Sequence, residues 1–259
     1  MARSKEEQEK VNADTRAAAD SSTLAAALDL LWNERPAPKR GPKPALTLEV
    51  IARAGIGLAD ADGLGAVTMQ SVADALGYTK MALYRYIPGK DELVALMIDL
   101  GLGAPPPLAP GEKGWRPRLE LWARRLSELF TAHPWTLEAT IGARPLGPNE
   151  MAWLEQAVET LAGTGLPGAE KLDVAAILSG HVRATTQQSV GAHGRPEQAF
   201  EAIVGLVLGP HRDRYPALSA AYTEAAEGGQ DQALEFGLDR ILDGVEMHIA
   251  AARERPAAP

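Results

Sequence analysis

The sequence predicts an all-α protein, an N-terminal helix-turn-helix domain followed by a larger helical domain, and three observations carry that expectation. Apolar residues recur three and four apart along most of the chain, with no convincing strand alternation. Two short segments with threonine caps flank a single glycine, Gly77. Proline- and glycine-rich joints at 35–45 and 102–114 cut the chain into pieces. At 259 residues two units are expected, and 46% hydrophobic against 23% charged residues is a globular balance that excludes wholesale disorder and a coiled-coil rod. The absence of cysteine excludes disulfide scaffolds, thiolate zinc sites and cysteine nucleophiles. No apolar run approaches the roughly 18 residues of a spanning helix, and the start MARSKEEQEK lacks the apolar core of a secretory signal. A cytoplasmic protein without membrane segments is therefore expected.

The elements follow in order. Residues 1–44 form an extension: a polar lead, a short amphipathic helix with Leu24, Leu28 and Leu31 at helical spacing, and then RPAPKRGPKPA. Four prolines and a glycine keep that last stretch out of a helix, and Arg35, Lys39, Arg40 and Lys43 keep it solvated. Within 45–101, Thr47 caps a helix to about Asp62, whose apolar side is Leu48, Ile51, Ala54, Ile56 and Leu58, although Gly55 and Gly57 weaken it. Thr68 caps Met69 to Leu76, Gly77 breaks the helix, and Thr79 starts the next. After Pro88 and Gly89, Lys90 to Leu100 is amphipathic through Leu93, Val94, Met97 and Leu100. Residues 102–114 read as a linker. The second domain, 115–253, reads as helices over about 115–131, 134–141, 149–162, 169–190, 196–208, 217–226 and 230–252, before a tail at 254–259.

Charge is unevenly spread. The chain carries a net −8, but residues 35–90 hold 8 Lys/Arg against 4 Asp/Glu, while the stretches on either side are acidic. The positive block coincides with the two helices around Gly77. That geometry lets the second helix lie in a major groove while the first braces it across the backbone, so double-stranded DNA is the expected partner.

The segment from Leu48 to Leu96, centred on T-M-Q-S-V-A-D-A-L-G-Y-T-K-M-A-L-Y-R-Y-I-P-G-K-D-E-L, resembles the DNA-binding domain of the tetracycline-repressor family of bacterial regulators. The resemblance implies that Tyr84 and Lys90 touch phosphates and that Thr68 caps the brace helix beside the backbone. It also places Gln70, Lys80, Met81, Ala82 and Tyr86 nearest base edges, with Thr79 at the start of the reading helix. The chemistry agrees: Gln grips adenine bidentately, Lys donates to guanine, and Met or Ala meets a thymine methyl. Arg85 and Tyr86 depart from the family's common aromatic and histidine pair, which implies a different operator preference. Arg35, Lys39, Arg40 and Lys43 stand where an extended arm enters an adjacent A/T-rich minor groove or, alternatively, adds only counterion release as a solvated linker.

The resemblance continues into the tetracycline-repressor-like C-terminal domain through W-x-x-x-L, G-A-R-P, a G-H pair and F-G-L-D-R-I-L-D-G-V-E. It implies homodimerisation and an effector pocket between helices. The long apolar helices around 177–190 and 236–249 are the candidate dimer elements. Tetracycline-binding members hold the drug's magnesium with a histidine just before the glycine of G-x-R-P and a later glutamate. Here Thr140 and the Gln187-Gln188-Ser189 stretch stand in the corresponding places, so a small organic effector without a metal is expected. Trp122, Leu126, Trp153, Gln156, His181 and Gln187 are the candidate ligand-binding residues, mixing apolar walls with orienting polar groups; ordinary packing is the alternative for each.

Neither a metal site nor a cofactor is expected, because His133, His181, His193, His211 and His248 lack ligand spacing. No P-loop, G-x-S-x-G or dinucleotide fingerprint is present, so the chain is not expected to be an enzyme. The expected function is a homodimeric repressor released from a palindromic operator by its effector. The alternatives are an effector-independent regulator or activator and, behind these, a helical enzyme or interaction module.

Overall fold

The computed structural model describes residues 24–33, 46–107, 114–191, 204–228 and 233–254, and among these every regular element is helical. Arg35, Lys39, Arg40 and Lys43 lie outside the described residues, as do 108–113 of the expected linker, most of the expected 196–208 helix and 255–259 of the tail. The chain divides into two units, one of residues 1–106 with 135–155 and the other of 107–134 with 156–259. The stretch 135–155, which the sequence reading groups with the second domain, thus packs with the first unit.

In the first unit, α1 covers residues 24–32 and buries Ala27 and Leu30, whereas Leu24 and Leu28 of the expected apolar face stand exposed. The Trp32 indole N–H donates to the Leu146 carbonyl at 2.9 Å, anchoring the helix end. Helix α2 is Leu48–Asp62, capped by the Thr47 hydroxyl, which accepts from the Val50 N–H at 3.2 Å. Gly55 is closely packed, since a β-carbon there would lie 2.7 Å from the sulfur of buried Met97 and would push that side chain aside. That absence of a side chain lets α2 lie close against α5, Lys90–Leu102.

Between them, after a single 3-10 turn over Leu64–Ala66, stand α3 (Met69–Leu76) and α4 (Lys80–Tyr84). Thr68 and Ser71 form a reciprocal capping box, each side chain accepting from the other's backbone N–H at 2.9 Å. Gly77 closes α3 in the left-handed conformation at φ 72°, ψ 26°, which glycine adopts without steric cost. Thr79 then caps α4 through the Ala82 N–H. Val72, Leu83, Ile87 and Leu93, all with no exposed surface, fill the core beneath.

Helix α7, Trp135–Ala139, joins this unit through the buried Trp135, whose indole donates to Asp60 at 2.8 Å. The front of α8, Pro148–Thr160, is held to α5 at two levels. The Asp99 carboxylate accepts from the backbone N–H groups of Asn149 at 2.8 Å and Glu150 at 3.4 Å and from the Asn149 side chain at 3.1 Å. One turn of α8 further on, Trp153 donates to the Gly103 carbonyl at 3.0 Å.

The second unit is organised by α6 (Trp115–Ala132), α9 (Gly168–Gly191) and α12 (Ala233–Glu254), which pack on one another. Leu119, Ala123, Leu178, Val182, Leu238 and Leu242 are fully buried between them. Two arginines of α6 reach α12: Arg116 meets Asp243 at 2.8 Å and Glu246 at 3.3 Å, and Arg124 meets Glu235 at 2.7 Å. Hydrogen bonding from these guanidinium groups holds the Asp243 and Glu235 carboxyls below their ordinary values. The described remainder comprises α10 (204–208), a 3-10 turn at Gly209–His211 and α11, Pro216–Gly228.

Candidate nucleic-acid interface

Helix α4 has only five residues, so its 100° step per residue decides which side chains can meet a partner. Lys80, Met81 and Tyr84 fall within one arc and are exposed, Met81 at 72% and Tyr84 at 38%. Ala82 and Leu83 occupy the opposite arc and are buried. The expectation that Ala82 reaches base edges is therefore corrected: its methyl group packs inward, where the short helix must bury something to stay attached. The Lys80 ammonium sits 5.6 Å from the centroid of the Tyr84 ring, a cation–π contact that stiffens both side chains.

Around this arc the other residues take supporting positions. Thr68 and Thr79 are exposed, and their hydroxyls are engaged as caps. Gln70 is exposed on α3, and its side-chain amide donates to Asp74 at 2.7 Å. Tyr86 is half-buried just beyond α4. Lys90 is exposed at the first position of α5, ahead of Asp91 and Glu92 in the same turn, and an exposed ammonium there suits a phosphate. The arrangement presents the apolar Met81 side chain, the Gln70 amide and the Lys80 and Lys90 ammonium groups on a capped scaffold.

The ligand-binding candidates divide between the two units. Trp122 and Leu126, one turn apart on α6, are buried in the second unit, and Gln156, which also belongs there, is half-buried on α8. His181 is half-buried, with Nε2 3.0 Å from the Leu234 carbonyl and its ring so close to Gly237 that a β-carbon there would lie 2.1 Å away. In this structure its imidazole joins α9 to α12. Gln187 is exposed on α9, and Trp153 belongs to the first unit through its bond to Gly103. Thr140, in the place of the expected histidine, donates its hydroxyl to the Thr136 carbonyl at 2.6 Å. Among the described residues no group of three or more His, Asp or Glu side chains is placed to hold a metal ion, and no helix is long and apolar enough to cross a membrane.

Three features escape sequence reasoning: Asp74 beside Gln70, the Asp99 link to α8, and the α6–α12 ion pairs. The first lies at i, i+4 and was legible in principle. The others join residues at least 50 positions apart, for which the sequence carries no signal.

Two family models match the chain: "Bacterial regulatory proteins, tetR family" over residues 51–97 and "Tetracyclin repressor-like, C-terminal domain" over residues 106–249. The chain is 35% identical to the HTH-type transcriptional repressor DrrR1 of Streptomyces coeruleorubidus over 92% of its own length and 91% of that protein's. Its fold is similar to that of apo ActR from Streptomyces coelicolor, with a TM-score of 0.65 at 27% identity, covering 83% of this chain and all of that one. The complex of ActR with actinorhodin superposes with a TM-score of 0.64 at 28% identity, covering 77% of this chain and 94% of that one.

Proposed function

The chain belongs to the tetR family of bacterial regulatory proteins, and from that premise we propose that it is a homodimeric transcriptional repressor released from a palindromic operator by a small organic effector. The observation that carries the reading is the exposed arc of Lys80, Met81 and Tyr84 on a capped α4, inside the stretch of the sequence where cations outnumber anions. Lys80, Met81, Gln70 and Tyr86 read bases, while Tyr84 and Lys90 grip phosphates. Arg35, Lys39, Arg40 and Lys43 add counterion release.

Dimerisation uses α9 and α12, which expose Ile177, Phe236 and Met247 at 56%, 64% and 75% beside their shared core. A two-fold dimer places its reading helices about one DNA turn apart, roughly 34 Å, hence a palindrome. The effector occupies the second unit near Trp122, Leu126 and Gln156, and the likeness to a regulator solved with actinorhodin supports a ligand-bound state. Binding favours a dimer whose α4 helices no longer match the groove, with a coupling of about 1–3 kcal/mol.

The test selects duplexes from a randomised library, then follows release of the preferred duplex by fluorescence anisotropy against a panel of drug-like and metabolite molecules, with and without chelator. Gln156→Ala should demand about tenfold more ligand while leaving ligand-free DNA binding intact; Trp153 is unsuited to this because it braces α5. Release only by a metal chelate, or no release by any ligand together with wild-type behaviour of Gln156→Ala, contradicts the effector reading.

A further inference from the structure

Gln70 is the second residue of α3, exposed, and held from one turn away by Asp74, which accepts from its Nε2 at 2.7 Å. We propose that Asp74 is a specificity-determining positioning residue, which locks the Gln70 amide into the orientation that grips adenine and so decides the base read by α3. The inference rests on the DNA-binding reading above and deepens it.

A glutamine amide is ambiguous by nature. Rotation about its last torsion exchanges oxygen for NH2, and the unrestrained group can offer donors to guanine as readily as a donor and an acceptor to adenine. A carboxylate accepts only. It therefore requires the NH2 on its own side, engaging one N–H and leaving the second N–H and the carbonyl oxygen free. Those two remaining groups are the pair that meets adenine N7 and N6–H in the major groove.

Asp74 acts by repulsion as well. Its charge near the DNA opposes the phosphates and disfavours the acceptor-rich edge of guanine, so it lowers affinity for every duplex while sharpening the choice among them. An exposed acid on a surface that must approach a polyanion is otherwise a pure loss. Asp74 is also dispensable to the fold, since its side chain is exposed and alanine is the better helix former.

The experiment uses full-length wild type, Asp74→Ala, Gln70→Ala and the double variant. Each selects from a randomised duplex library and is then titrated against the preferred duplex and its base variants at the position where Gln70→Ala loses preference. Asp74→Ala should bind unselected DNA as tightly as wild type or tighter. Its preference for adenine over guanine at that position should fall about tenfold, within the roughly 5- to 150-fold that one bidentate contact provides. In the Gln70→Ala background the Asp74 substitution should change no preference. Sequence-specific binding with undiminished adenine preference in Asp74→Ala, or a Gln70→Ala variant that keeps every preference of wild type, overturns the assignment alone. Failure of all four proteins to bind any duplex overturns the DNA-binding reading and this assignment with it.

Discussion

Asp99 carries its carboxylate where water cannot reach it freely, at 9% exposure on the inner side of α5. Burial raises its pKa above the ordinary 3.8, against the pull of the Asn149 and Glu150 N–H groups and with the help of the nearby Glu150 charge. Because the folded value is raised, the native state holds this proton more tightly than the unfolded chain. The contribution of Asp99 to stability is thus greatest below the ordinary carboxylate value and is lost as pH rises through the raised one. Asp99→Asn, which keeps an acceptor but cannot ionise, should close on wild type as pH rises from acid to neutral, measured as unfolding free energy in urea at a series of pH values. A wild-type advantage that grows with pH contradicts this. Asp99→Ala strands two backbone donors at the start of α8 and should cost about 2 kcal/mol. None of this was readable beforehand, for nothing near Asp99 in sequence announces a partner 50 residues away. The Thr68 and Thr79 caps were readable, because a cap is a bond to a backbone group three residues ahead.

Single helices follow their sequence wherever one face must be buried and local bonds decide the ends. The α3–turn–α4 segment is the clearest case, with a capping box, a left-handed glycine and a second cap in the expected places. Gly77→Ala should cost about 1 kcal/mol, lowering the melting temperature by about 2–4 °C, because a β-carbon at φ 72° meets the following carbonyl. It should also weaken DNA binding, since α4 is aimed by that turn; unchanged stability by calorimetry would remove the strain argument. Helix α1 shows where periodicity fails: Ala27 and Leu30 face the core rather than Leu24 and Leu28, since nearly every position of the helix is apolar and several stripes fit equally well. Ala82 fails differently. A five-residue helix has room for three outward residues, and the sequence does not say which two must anchor it.

Across the whole molecule, charge is segregated: the acidic excess lies outside residues 35–90, and the candidate reading surface lies within them. That contrast was legible from composition. The packing of 135–155 with the first unit was not, because it depends on bonds such as Trp135 to Asp60, 75 positions apart. A total of −8 makes nonspecific attraction to DNA weak, so affinity must come from a few placed cations, of which Lys90 is the best defined. The direct measurement is DNA affinity against salt, by fluorescence anisotropy, for wild type and Lys90→Ala on the selected duplex and on its base variants. A phosphate contact carries no base information. Lys90→Ala should therefore weaken binding to all of these duplexes alike and make the slope of log affinity against log salt shallower by about one unit per protomer. A slope identical to wild type, or a changed order of preference among the duplexes, would contradict the placement of this surface on DNA.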